Sequence, residues 1–130
     1  MKPRTSGRGR LSRSAEFERV YRQGRSIANR HLVLYTFPNP SVQRPRLGLS
    51  VSRKVGGAVQ RNKVKRLLRE AFARAEPALK PDQDVVVVAR PAAGELAERE
   101  GLVGMDASLS DLITRAGLLA GAAGTADGPE

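Results

Sequence analysis

Residues 46 to 72 read RLGLSVSRKVGGAVQRNKVKRLLREAF, and within them the apolar residues pass from alternation to helical spacing. Leu47, Leu49 and Val51 alternate with Gly48, Ser50 and Ser52, which predicts a strand with one apolar face and one face of small residues. Small side chains leave that backbone open to close packing of a helix or to a ligand. Gly56 and Gly57 punctuate the chain, and a helix is predicted from about Ala58 to Ala75, ended by Pro77 and the loop around Lys80, Pro81 and Asp82. Projected at about 100° per residue, Val64, Leu67, Leu68, Ala71 and Ala75 share one arc, with Phe72 at its border. Arg61, Asn62, Lys65, Arg66 and Arg69 share the adjoining arc, and Lys63, Glu70 and Arg74 take the outer side. Like charges at i, i+4 repel by a few tenths of a kcal/mol per pair, so such a stripe makes sense against phosphates; the plainer alternative is a solvated helix face. Arg53 and Lys54 add two cations where the strand hands over to the helix N-terminus, whose dipole favours anions.

On the downstream side, Asp84 introduces Val85, Val86, Val87, Val88 and Ala89, a β-branched run expected as a central strand covered on both faces. After Pro91, Gly94, Gly101 and Gly104 are expected to interrupt any helix, leaving one final amphipathic helix around Leu109, Leu112, Ile113 and Ala116. Upstream, Ser14 is a candidate N-cap, and Phe17, Val20 and Tyr21 repeat at helical spacing before Gly24. From His31 to Phe37 the residues HLVLYTF predict a strand with Leu32, Leu34 and Thr36 on one face and Val33, Tyr35 and Phe37 on the other. Helix, strand, strand, helix, strand, helix describes a small single-domain α+β sandwich with helices covering part of one sheet. Residues 1–10 read as a flexible basic arm, 11–119 as the folded domain and 120–130 as a disordered tail.

The 130 residues suffice for one modest core. The net charge of +10 is regional: residues 1 to 76 hold 19 Lys+Arg and 4 Glu (+15), and residues 77 to 130 hold 4 Lys+Arg and 9 Asp+Glu (−5). Concentrated charge of one sign calls for a polyanionic partner. Cysteine is absent, which removes disulfides, thiolate metal sites and a catalytic thiol, and fits a reducing compartment, with the cytoplasm as default. No apolar run is long enough to span a bilayer, and no export signal follows the basic arm, so no membrane partner is expected. His31 is the one histidine and lies in a strand pattern, where packing or hydrogen bonding is its expected role. Glu16, Glu18, Glu70 and Glu76 are the carboxylates before residue 77 and read as helix-end and surface groups. Neither a catalytic residue nor a metal site is predicted in this chain. Phe17 and Tyr21 share a helix face, and Tyr35 and Phe37 a strand face; together they could form an aromatic groove for single-stranded RNA or simply a core layer.

The block SRKVGGAV followed by RNKVKRLLREAF resembles the signature of the bacterial ribonuclease P protein subunit. EFERVYRQGRSIANRHLVLY, DVVVVARP and SLSDLITRAGLL extend the resemblance over most of residues 11 to 119. Arg61, Asn62, Lys65, Arg66 and Arg69 match the family motif; Lys63 replaces its usual third arginine and Gly57 a bulkier polar residue. Residues 92 to 105 form a longer, more glycine-rich stretch than the family pattern. The resemblance implies the ribonuclease P protein fold (ribosomal protein S5 domain 2-like), with parallel strands joined through the long basic helix in a left-handed crossover. It implies a protein cofactor of an endoribonuclease whose RNA subunit performs magnesium-dependent removal of the 5′ leader from precursor tRNA. The Mg2+ would be held mainly by that RNA. The partners implied are the catalytic ribonuclease P RNA and precursor tRNA, with no obligate protein partner. RNA-binding residues would be Arg53, Lys54, Arg61, Asn62, Lys63, Lys65, Arg66 and Arg69, and leader-binding residues Phe17, Tyr21 and Tyr35, with Phe37 left to packing. A structural, ribosome-associated RNA-binding protein is the alternative, and an autonomous metal-dependent nuclease is disfavoured by the lack of clustered acids or histidines.

Overall fold

A computed structural model describes residues 14–120. Helix α1 runs Ser14–Gln23, strand β1 Arg25–Ala28, β2 Leu32–Pro38, β3 Arg46–Val51, helix α2 Ala58–Ala75, a short 3-10 turn Glu76–Ala78, β4 Gln83–Ala89 and helix α3 Ala92–Arg115. The predicted arm, and all of the predicted tail beyond Ala120, lie outside the described residues. No described helix is long and apolar enough to cross a membrane.

The strands form one mixed sheet in the order β1-β2-β4-β3. β2 pairs antiparallel with β1 and with β4, whereas β3 lies parallel to β4, with Arg46 opposite Asp84 and Val51 opposite Ala89. Parallel neighbours need a crossover, and α2 supplies it. The Val85 to Ala89 run occupies the central position that its continuous apolar character predicts, and only Val88 in it is less than buried.

Alternation along the strands sorts the side chains into two layers. Leu32, Leu34, Leu47, Val51, Val85 and Val87 face α2 and α3 and merge with Val64, Leu67, Leu68, Phe72, Met105, Leu109 and Leu112 into the main core. The opposite face carries a smaller cluster in which Val20 of α1 meets Val86, flanked by Phe17, Tyr35, Phe37 and Val88. Helices therefore cover both faces of the sheet.

Two expectations are corrected. Residues 25–28 pair with β2 as an edge strand that the sequence reading omits; RSIA is short and Ile27 is its one half-buried residue, so it shows no alternation. Residues 92–115 form two helical segments that meet at a kink, so of the three glycines expected to interrupt a helix only Gly101 does so. Gly94 and Gly104 sit buried inside α3, and only Gly101, at φ 57 and ψ −139, leaves helical geometry and kinks it.

Asp84 is fully buried at the start of β4, next to the valine run. Arg46 grips it bidentately, Nε to Oδ1 at 2.9 Å and Nη2 to Oδ2 at 3.0 Å, and Asn39 Nδ2 donates to Oδ2 at 3.0 Å. From α1, Glu16 accepts from Arg46 Nη1 at 3.0 Å and Arg19 reaches Asp84 at 3.5 Å. The hydrogen bonds that Arg46 donates to Asp84 outweigh burial and hold its guanidinium above its ordinary pKa. Removing one member of a buried pair strands the other charge, so Asp84→Ala is expected to cost about 3 to 5 kcal/mol in urea unfolding. A loss below about 1 kcal/mol would show that water replaces the carboxylate.

Candidate nucleic-acid interface

On α2 the arc of Val64, Leu67, Leu68, Ala71 and Phe72 is buried as the projection predicts, and Ala75 is half-buried. The adjoining arc is left open: Asn62, Arg66 and Arg69 are exposed, and Arg61 and Lys65 are half-buried. Among the described residues, Arg53, Lys54, Arg61, Lys65, Arg66 and Arg69 form no ion pair. Arg61 Nε is buried without a hydrogen-bond partner there. Cations elsewhere are largely matched, as in Arg44 with Glu76, Arg22 with Glu18 and Arg115 with Asp111.

Lys63 and Arg74 do not face plain solvent as the helical projection predicts. They lie toward α3, where Lys63 Nζ is 3.6 Å from Glu98 and Arg74 Nε 3.6 Å from Asp106. Lys63 thus differs from its neighbours in having an acidic partner. At Gly57 a Cβ would meet no atom within 4 Å, so the structure has room for a larger residue there.

Phe17, Tyr21 and Tyr35 do come together. Tyr21 and Tyr35 meet edge to face with ring centroids 4.8 Å apart, and Phe17 lies 6.3 Å from Tyr21. The small face of β3 is what admits them: a Cβ on Gly48 would sit 2.6 Å from Phe17 Cζ, and Ser50 lies close enough to the Tyr21 phenol to favour its ionised form. The cluster is neither all core nor all surface, since Tyr21 stays 38% exposed and Tyr35 is half-buried. Phe37 serves packing, with the Arg19 guanidinium 5.4 Å from its ring centre. β3 links the two regions: Gly48 and Ser50 underlie the rings, and Arg53 and Lys54 follow its last residue.

His31 has the hydrogen-bonding role expected, with Nδ1 3.4 Å from Ser108 Oγ. No three His, Cys, Asp or Glu side chains among the described residues could hold a metal ion. The Asp84–Arg46 pair escaped the sequence reading; its one signal was a charge at the mouth of each of two apolar strands.

A family model described as Ribonuclease P matches residues 6–116. The chain belongs to the ribonuclease P protein family. A ribonuclease P protein component from Shouchella clausii (strain KSM-K16) is 45% identical over 111 residues, spanning 85% of this chain and 88% of that protein. The solved RNase P protein of Staphylococcus aureus shares 36% identity and a TM-score of 0.78, covering 86% of this chain and 98% of that one. That of Thermotoga maritima shares 33% identity and a TM-score of 0.74, covering 83% and 97%. In this ribonuclease P family member, the match therefore takes in α1, the whole sheet, α2 and α3.

Burial raises the Tyr21 pKa above its ordinary 10.0, with Ser50 opposing the shift and Tyr35 adding to it. Tyr35→Phe leaves Tyr21 as the only tyrosine of the chain. Its ultraviolet titration is expected to have a midpoint above 10.0; a midpoint at or below that value would mean the ring is fully solvated.

Proposed function

We propose that this chain is the protein cofactor of a ribonuclease P ribonucleoprotein and acts by binding two RNA surfaces. The α2 stripe, with Arg53 and Lys54, docks the catalytic RNA, and the Phe17, Tyr21 and Tyr35 cluster takes the 5′ leader of precursor tRNA. Together they promote magnesium-dependent endonucleolytic removal of that leader in the cytoplasm.

The observation that carries this reading is the partition of charge. On α2 the cations off the stripe, Lys63 and Arg74, find carboxylates, while those on it and in the turn before it find none among the described residues. Unpaired cations held in a row by one helix match the repeating charge of a phosphate backbone. The aromatic cluster adds half-exposed rings on which unpaired bases stack, a mode open to single-stranded RNA and closed to a duplex. Family membership supports the tRNA-processing context. The described residues offer no donor set that fits magnesium, and this reading assigns the ion and the hydrolytic step to the RNA.

The two surfaces separate in binding measurements. With about 6 phosphate contacts, affinity for the catalytic RNA is expected to fall by roughly 10³ between about 50 and 200 mM monovalent salt. Arg66→Ala should weaken that binding and reduce the salt slope by about 1. Tyr35→Ala should leave the slope unchanged and, in the assembled complex, weaken precursor tRNA more than mature tRNA, by about tenfold or more for a lost base stack. A flat salt response would contradict the stripe as docking surface, and equal losses for precursor and mature tRNA would contradict the leader groove.

A further inference from the structure

At the end of the sheet where β2 finishes and β4 begins, a cavity of about 190 Å³ opens between the sheet and the segment that follows α3. Its walls include Thr36, Gln83, Arg25 and Lys80, and none of its lining residues is acidic. Thr36 and Gln83 are 6% and 9% exposed. Neither side chain has a hydrogen-bond partner among the described residues, yet neither is sealed off, since Arg61 Nε is the one orphan atom there without solvent contact. A hydroxyl and an amide buried this far and left unbonded make a poor structural core and a good ligand floor.

The rim is held by main-chain bonds. Lys80 N donates to Leu118 O at 2.9 Å, and Leu79 bridges Leu119. Arg25 Nη2 donates to Ala116 O at 3.2 Å, which steadies the guanidinium and offsets the carbonyl end of α3. Lys80 has no ion-pair partner among the described residues. We infer that this cavity, floored by Thr36 and Gln83 and flanked by Arg25 and Lys80, binds a phosphate monoester. Two cations with a hydroxyl and an amide supply the donors such a group accepts. The volume is several times the roughly 30 Å³ share of a water molecule, enough for the phosphate and part of its sugar.

This site is separate from the α2 stripe. β3 and β4 run parallel, and the stripe follows the C-terminal end of β3, whereas Gln83 opens β4 at the other end of the sheet. The phosphate could belong to the end of an RNA strand or to a free nucleotide. The full-length 15N-labelled chain would be titrated by NMR with uridine 5′-monophosphate and with a short oligoribonucleotide in 5′-phosphorylated and 5′-hydroxyl forms. Saturable shifts are expected at the Gln83 side-chain amide, Gly24 and Gly117, and they should persist in Arg66→Ala. Lys80→Ala and Gln83→Met, each with its other resonances in place, should weaken binding by about tenfold. Preference for the 5′-phosphorylated strand over both other probes would assign an RNA end, and equal binding of the mononucleotide a free nucleotide. Shifts confined to α2, or undiminished binding in Lys80→Ala, would overturn the site.

Discussion

The buried Asp84–Arg46 pair is the constraint on which the placement of everything else rests. It sits at the opening of two parallel strands, opposite one another in register, and through Glu16 and Arg19 it reaches α1. The apolar contact between α1 and the sheet is small, with Val20 and Val86 its fully buried members. A helix held by so little apolar area needs a directional anchor, and charge-assisted hydrogen bonds of fixed geometry supply one. That anchor sets where Phe17 and Tyr21 stand over Gly48, Ser50 and Tyr35. Ionic contacts thus fix the aromatic surface, although none of the ionic residues belongs to it.

α2 solves a different problem with the same economy. One arc is committed to the core shared by sheet and α3, so the helix cannot turn, and the cations beside that arc are held in one row. Ion pairing toward α3 takes up Lys63 and Arg74 and leaves Arg61, Lys65, Arg66 and Arg69 for an outside partner. The acidic second half of the chain is consistent with this division: Glu98 and Asp106 neutralise cations off the stripe and leave its field intact.

Much of this was legible in the sequence where a strong period met clear punctuation. α2 runs from Ala58 to Ala75 as read, because a glycine pair precedes it, a proline follows it and its apolar residues keep strict spacing. The faces of β2 were legible for the same reason. α3 was misread because glycine is a poor helix former in isolation, and tertiary packing overrode that propensity at the buried positions 94 and 104. β1 escaped because an edge strand with one half-buried residue carries no alternation. The Asp84 cluster could not be seen at all without the register, which brings together residues 38 positions apart. The meeting of Phe17, Tyr21 and Tyr35 was foreseeable as shared faces, and it took the structure to show that they form a half-exposed cluster and not a closed core layer.

The account is tested most directly by cleavage of a 5′-leader precursor tRNA at low salt with magnesium and a bacterial ribonuclease P RNA, with and without this protein, alongside the RNA-free protein alone. It predicts faster cleavage at the mature 5′ end when protein and RNA are combined, and none from the protein by itself. Failure to stimulate the RNA from its own source would contradict the cofactor reading and favour a structural RNA-binding role, and cleavage by the RNA-free protein would contradict the assignment of hydrolysis to the RNA.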